Sequence, residues 1–190
     1  DFPARWLSDQ RNDIQVTKRN ADFTECELLF ASVLVIKDPT STRGKAQLEE
    51  LQLHHRSIDV TYTNVEVCKV VVTDQFTATQ LLSARWSKFY LYVSEVAIQS
   101  WYSDQEISAR FVAAGIKLNL HFMFLNSFVN SVSDIILIDT DTLVIRNLHE
   151  VFERYPEFGV SFALSSSFFT KQNPNYYLNT GVIFIRRGFG

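Results

Sequence analysis

The sequence predicts an α/β fold built on a mainly parallel sheet covered on both faces, and three observations carry that prediction. Strand-like and helix-like segments alternate along most of the 190 residues. Several of the strand-like runs are apolar throughout, which is the pattern of strands buried on two sides. Two aspartates, Asp139 and Asp141, stand where one such run gives out, and open α/β sheets place their ligands beyond the carboxyl ends of their strands.

The elements follow in order. Residues 27–36, ELLFASVLVI, form an apolar run closed by Lys37-Asp38-Pro39, as a buried strand does. In GKAQLEELQLHHRSI, residues 44–58, the apolar positions Ala46, Leu48, Leu51, Leu53 and Ile58 recur in a loosely helical rhythm, predicting a helix with one solvated face. VEVCKVVVTD, residues 65–74, predicts a Val-rich strand, followed by a helix over FTATQLLSARW and an alternating strand in KFYLYVSEV. Ser103 and Glu106 have the spacing of a capping box, so another helix starts there. Gly115 interrupts it, and IKLNLHFMFLNSFV continues as a helix apolar on nearly every side, its Phe residues in the core. An Ile-rich strand ends at Asp139. A short helix, LHEVFERY, begun by Asn147 with Glu150 three residues on, then leads to strands in GVSFALS and TGVIFIRR.

Length and composition narrow the function. With 46% hydrophobic and 21% charged residues, the chain can bury the core of one domain, residues 1–190. A net charge of -3 with no basic stripe argues against nucleic acid as a partner. No apolar stretch approaches the roughly 18 residues of a membrane span. The chain has no initiator Met and stops at Gly190 just after a strand-like segment, so a domain incomplete at its C-terminus is expected. Cys26 and Cys68 sit beside apolar stretches and read as small buried thiols, with a single bridge in an oxidising compartment as the alternative. His54, His55, His121 and His149 show no metal-ligand spacing.

The chemistry concentrates in SDIILIDTDTLVIRNL, residues 133–148. Two carboxylates one residue apart repel each other, and a cation is the usual compensator. Eleven aspartates in the chain make a bare Asp-x-Asp common by chance, so its place at a strand end supplies the weight. There both carboxylates can face one hard cation, Mn2+ or Mg2+, and leave coordination positions for phosphate oxygens. A solvated turn with Asp139 capping a backbone amide is the plain structural alternative. IILIDTDTLV also fits the pattern of haloacid-dehalogenase phosphatases, whose first Asp is the nucleophile. Such enzymes need further acidic ligands downstream, and no Asp follows Asp141.

Strand, helix, VVVTD, a helix ending in Trp86, strand, a long helix carrying Lys117, then DIILIDTDTLVIRNLHEVF and finally YYLNTGVIFIRR occur in this order. That succession resembles the GT-A glycosyltransferases of family 8 and relatives such as the glucoside xylosyltransferases. The most specific pair is apolar-Asp-Thr-Asp-x-Leu-Val followed about forty residues later by Asn-Thr-Gly-Val. The resemblance implies a GT-A fold, that is, a Rossmann-like nucleotide-diphospho-sugar transferase sandwich. It implies transfer of a sugar from a nucleotide sugar, a uridine diphosphate (UDP) sugar by analogy, to a glycan, glycoprotein or small-molecule hydroxyl, with retention.

Residue by residue, the resemblance gives Asp139 to the metal and the donor ribose, and Asp141 to the metal. Thr140 would contact the donor, and Lys117 on the preceding helix would reach its phosphates or sugar. Asn179 and Gly181 would lie at the junction of donor and acceptor, where a residue without a side chain lets substrate approach closely. No catalytic base is nominated, because Glu150, Glu153 and Glu157 read as surface charges on the short helix. The chain departs from the family twice. FALSSS puts Ser165 near the position where many relatives carry an Asp, and the C-terminal His-x-x-Gly-x-x-Lys stretch that supplies a third metal ligand is absent. Eukaryotic members work in the Golgi lumen, which becomes the expected compartment. A non-catalytic GT-A module that binds a nucleotide or glycan is the further alternative.

Overall fold

Runs of Leu, Ile and Val build the centre of the sheet. The computed structural model describes residues 14–18, 26–74, 76–79, 89–93, 113, 117, 132, 134–158, 160–165 and 177–186. Seven strands lie among them: β1 (Ile14–Lys18), β2 (Leu28–Val33), β3 (Val67–Thr73), β4 (Phe89–Val93), β5 (Asp134–Ile138), β6 (Val160–Ser165) and β7 (Tyr177–Arg186). They stand in the order β1-β4-β3-β2-β5-β7-β6. The consecutive four, β4-β3-β2-β5, are parallel, and β2 and β5 are buried at every position. Burial on both faces is why these runs do not alternate.

The antiparallel strands lie outside this parallel block. β1 pairs with β4 at one edge, while β7 lies between β5 and β6 at the other. The sequence reading missed β1: IQVTK is only five residues long and carries two apolar residues, Ile14 and Val16, too few to mark a strand without its partner β4.

Helix α1 (Thr42–Thr61) begins two residues before the predicted segment. Ser41 caps it, its Oγ accepting the Gly44 N–H at 3.0 Å. Residues 76–79 are helical, in agreement with the start of the predicted helix, and Asp74 Oδ1 accepts the Thr77 N–H at 2.7 Å. Ala113 and Lys117 are helical too. The rest of the helices predicted there, with the Ser103–Glu106 capping box and Gly115, lies outside the described residues. Helix α2 (Glu150–Arg154) follows a loop in which Asn147 Oδ1 accepts the His149 N–H at 3.0 Å.

Side chains on both faces of the parallel strands are buried, and the face covered by α1 carries two packed clusters. Leu28, Phe30, Ile136 and Ile138 pack with Ile58 and Tyr62 from the end of α1 and with Val144 and Phe152. Leu34, Ile36, Leu51 and Val71 form a second cluster. At the start of β5, Asp134 accepts from Arg186 Nε at 3.1 Å and meets His149 Nε2 at 3.2 Å. Arg186 also donates to the carbonyls of Phe152 and Pro156, tying the end of α2 to the sheet.

The expectation of two free thiols gives way here. Cys26 and Cys68 are joined by a disulfide, with Cα atoms 5.6 Å apart and a sequence separation of 42. The cause is strand alignment: Leu29 pairs with Cys68, and the Glu27 N–H reaches the Glu66 carbonyl at 2.9 Å. Nothing local in the sequence records that register.

Candidate functional site

Where β5 ends, the chain makes a tight turn held by backbone bonds. Asp139 N–H donates to the Gly181 carbonyl on β7 at 2.9 Å, and Thr142 N–H donates back to the Asp139 carbonyl at 3.1 Å. Asp139, Thr140 and Asp141 thereby line a cavity of about 860 Å³ beyond the carboxyl ends of the parallel strands. That is the place a parallel sheet offers for a ligand, and the volume suits a nucleotide-sized molecule.

The opposite wall comes from the segment that leaves β2. Leu34 N–H bonds the Val72 carbonyl, the Thr73 hydroxyl donates to the Leu34 carbonyl, and Ile36 N–H bonds Thr77 Oγ1 at 2.8 Å. So pinned, the chain reaches Lys37 and Asp38, which line the cavity with Arg43 and Gln47 of α1. Asp38 accepts from the Thr40 hydroxyl at 2.7 Å and the Thr40 N–H at 2.9 Å. Those bonds, the hydroxyl's first, hold its carboxyl below the ordinary carboxylate range. Gly44 has a steric reason: a Cβ there would lie 2.0 Å from the Asp38 carbonyl oxygen, so only glycine lets α1 start this close to the turn.

The sequence-predicted residues fall into three groups. Asp139, Thr140 and Asp141 share the cavity. Lys117 joins them: its ammonium donates to Asp139 Oδ1 at 2.5 Å, and both side chains are partly buried. That position therefore accepts a positive charge, and Lys117 offsets part of the repulsion between the two carboxylates. Gly181 meets Asp139 through its backbone. Asn179 stands two residues earlier on β7, paired with Ala163 where the β6–β7 register shifts, and its side chain lies outside the described residues. Ser165 ends β6.

The two carboxylates are hard oxygen donors open to solvent, the type that Mn2+ or Mg2+ takes. Among the described residues no group of three His, Cys, Asp or Glu gathers that could hold a metal alone. Sequence reasoning missed the Lys37–Arg43 wall, although KDPTS carries the signal: a Pro turn and a capping Ser just past a buried strand. It also passed over His54, which lies buried behind the turn with its ring bonded to the Thr142 carbonyl.

No family model matches the sequence, and no curated protein matches it. Solved structures do match in shape. Galactosyltransferase LgtC in complex with donor and acceptor sugar analogs superposes with a TM-score of 0.50 at 12% identity, over 83% of this chain and 57% of that one. An active-site mutant of LgtC gives the same score and coverage at 10% identity. The fold is GT-A. Mouse xyloside xylosyltransferase 1, in its apo form, lies at a TM-score of 0.49 and 12% identity, covering 85% of this chain and 67% of its own. This GT-A chain spans 57% of the length of the LgtC chains it matches. Its cavity sits at the strand ends of the GT-A sheet, with the Asp-Thr-Asp turn on one wall and the start of α1 on the other. Among the described residues no helix is long and apolar enough to cross a membrane.

Proposed function

We propose that the chain carries the donor site of a metal-dependent glycosyltransferase, which moves a sugar from a UDP sugar to a hydroxyl of a glycan, glycoprotein or small molecule, with retention. The observation that supports this most is the Asp139-Thr140-Asp141 turn facing an 860 Å³ cavity, with Lys117 on Asp139, in a GT-A fold. A nucleoside diphosphate leaves with concentrated negative charge, so electrostatic stabilisation is the main task of such a site. Mn2+ or Mg2+ held by Asp139 and Asp141 would supply it by neutralising the diphosphate.

The chain's own groups take the remaining work. Lys117 turns its ammonium from Asp139 toward the donor phosphates. Thr140 contacts the donor, and Asn179 and Gly181 border the transferred sugar. LgtC has been captured in complex with donor and acceptor sugar analogs, which favours the same substrate classes here. The Cys26–Cys68 bridge fits an oxidising compartment, which favours the secretory pathway and the Golgi lumen. A haloacid-dehalogenase phosphatase is disfavoured by the position of the aspartates, in the turn after β5 with four described strands before them in sequence.

Calorimetry of UDP with and without Mn2+ tests the proposal. Binding that requires Mn2+ and is lost in Asp141→Asn supports it; UDP binding indifferent to both overturns it. Phosphoester hydrolysis abolished by Asp139→Asn would point to the phosphatase instead. Donor binding without transfer to any acceptor or to water would mark a non-catalytic module.

A further inference from the structure

Helix α1 reaches the aspartate turn from behind. His54 is fully buried, and its Nδ1 lies 2.7 Å from the carbonyl oxygen of Thr142, the residue after Asp141. A carbonyl only accepts, so Nδ1 carries the proton. Nε2 is then an acceptor, and the Ser32 hydroxyl on β2 supplies its donor at 3.1 Å. The tautomer is thus set from both sides, and burial keeps the ring neutral by lowering its pKa.

The same face of α1 holds the next stretch of loop. Ser57 Oγ accepts the Val144 N–H at 2.9 Å, and the Thr61 hydroxyl donates to the Val144 carbonyl at 2.8 Å. Positions 54, 57 and 61 recur at helical spacing. The Asp139–Thr142 turn is accordingly fixed at both ends, by the Gly181 carbonyl before it and by His54 after it.

We infer that His54 is a positioning residue for the aspartate pair, fixing through the Thr142 carbonyl the direction in which Asp141 presents its carboxylate to a divalent cation. This rests on the donor-site function proposed above. Among the described residues the protein offers the cation only two carboxylates, so the aim of each matters more than in a site with four protein ligands. Partners that orient a ligand typically contribute about 10–100-fold to metal affinity. His54 is shut away from solvent, so water cannot readily replace its N–H, and without it the Thr142 carbonyl must swing out to find a donor.

The test is calorimetric titration of Mn2+ into the protein saturated with UDP, for wild type and four variants, with melting temperatures recorded alongside. His54→Leu fills the space without a donor. His54→Asn keeps an N–H near the Nδ1 position, and His54→Gln moves it toward Nε2, away from Thr142. Ser57→Ala removes the neighbouring bond to Val144 and serves as the control for destabilisation alone. The expected result is a loss of about 10-fold or more in Mn2+ affinity for Leu and Gln, rescue to within a few-fold by Asn, and an unchanged affinity in Ser57→Ala. Amide exchange at residues 140–144 of the metal-free protein should rise in the Leu and Gln variants and not in Asn. Wild-type affinity in the Leu variant, or an equal loss in Ser57→Ala, overturns the inference. Should the Leu variant fail to fold, Asn and Gln carry the comparison, and equal affinities for those two overturn it. If wild type itself shows no Mn2+-dependent UDP binding, the donor-site function falls and this role with it. If wild type binds and the His54 variants bind alike, the positioning role alone falls.

Discussion

Replacing Gly44 with Ala separates intrinsic helix propensity from local geometry, because the two predict opposite signs. In an exposed helix interior the substitution would stabilise by up to about 1 kcal/mol. Here the added Cβ would lie 2.0 Å from the Asp38 carbonyl oxygen and 2.9 Å from both the Asp38 carbonyl carbon and the Pro39 Cα, all backbone atoms. Reaching even 3.0 Å from that oxygen requires a shift of about 1 Å in a turn pinned by the Thr40 and Ser41 side chains. Overpacking of this kind costs about 1–3 kcal/mol, and displacing Ser41 from the Gly44 N–H loses a cap of about 1 kcal/mol. The net expectation is destabilisation by about 2 kcal/mol, a fall in melting temperature of roughly 4–8 °C for a chain of this size. Urea unfolding followed by circular dichroism measures it, and UDP titration should show weaker binding, since Asp38 and Gly44 both line the cavity. A Gly44→Ala protein as stable as wild type, or more so, would refute the reasoning.

Four further outcomes are expected. Asp141→Asn should weaken Mn2+-dependent UDP binding by about 10-fold or more while leaving the melting temperature unchanged or higher, because Asp141 is exposed and repels Asp139; a lower melting temperature would mean the carboxylate has a structural duty. Opening the Cys26–Cys68 bridge, which closes a 42-residue separation, should cost about 4 kcal/mol by loop entropy, read as a shift in urea midpoint under reductant. Arg186→Met should cost about 3 kcal/mol or more by leaving the buried Asp134 carboxylate without its guanidinium, read by the same urea assay. Burial pushes the His55 pKa down to about 3, so the folded state stays neutral while the unfolded state takes a proton below about 6.5. Stability is therefore full above about pH 6.5 and falls toward pH 3 by up to about 1.4 kcal/mol per pH unit, and His55→Gln should flatten that slope in urea melts across pH.

The local features of this fold were legible in the sequence, and the non-local ones were not. The apolar runs of β2, β3 and β5 announce burial on both faces, and Asp139 at the end of one of them announces a site. The antiparallel insertion of β7 between β5 and β6 depends on pairing across long sequence separations, which no local pattern records. The Cys26–Cys68 bridge follows from the same kind of alignment. His54 was passed over for a related reason. The histidines show no metal-ligand spacing, and what distinguishes His54 is a carbonyl 88 residues away. Lys117 was legible by its order along the chain, but its contact with Asp139 comes from tertiary structure.

The backbone bond from Asp139 to Gly181 also has a meaning for how the chain could vary in length. Because Ile138 pairs with Val182, this rung acts as a reading frame shared by two motifs forty residues apart in sequence. Side chains alternate faces along a strand, so a single-residue insertion or deletion within β7 between Gly181 and Arg186 would set Thr180 or Val182 opposite the aspartate turn, each with a branched side chain where glycine now stands. Changes of two residues would keep the faces but move the Asn-x-Gly away from the carboxylates. Neither kind of length change preserves the site, so β7 behaves as a ruler with one permitted setting.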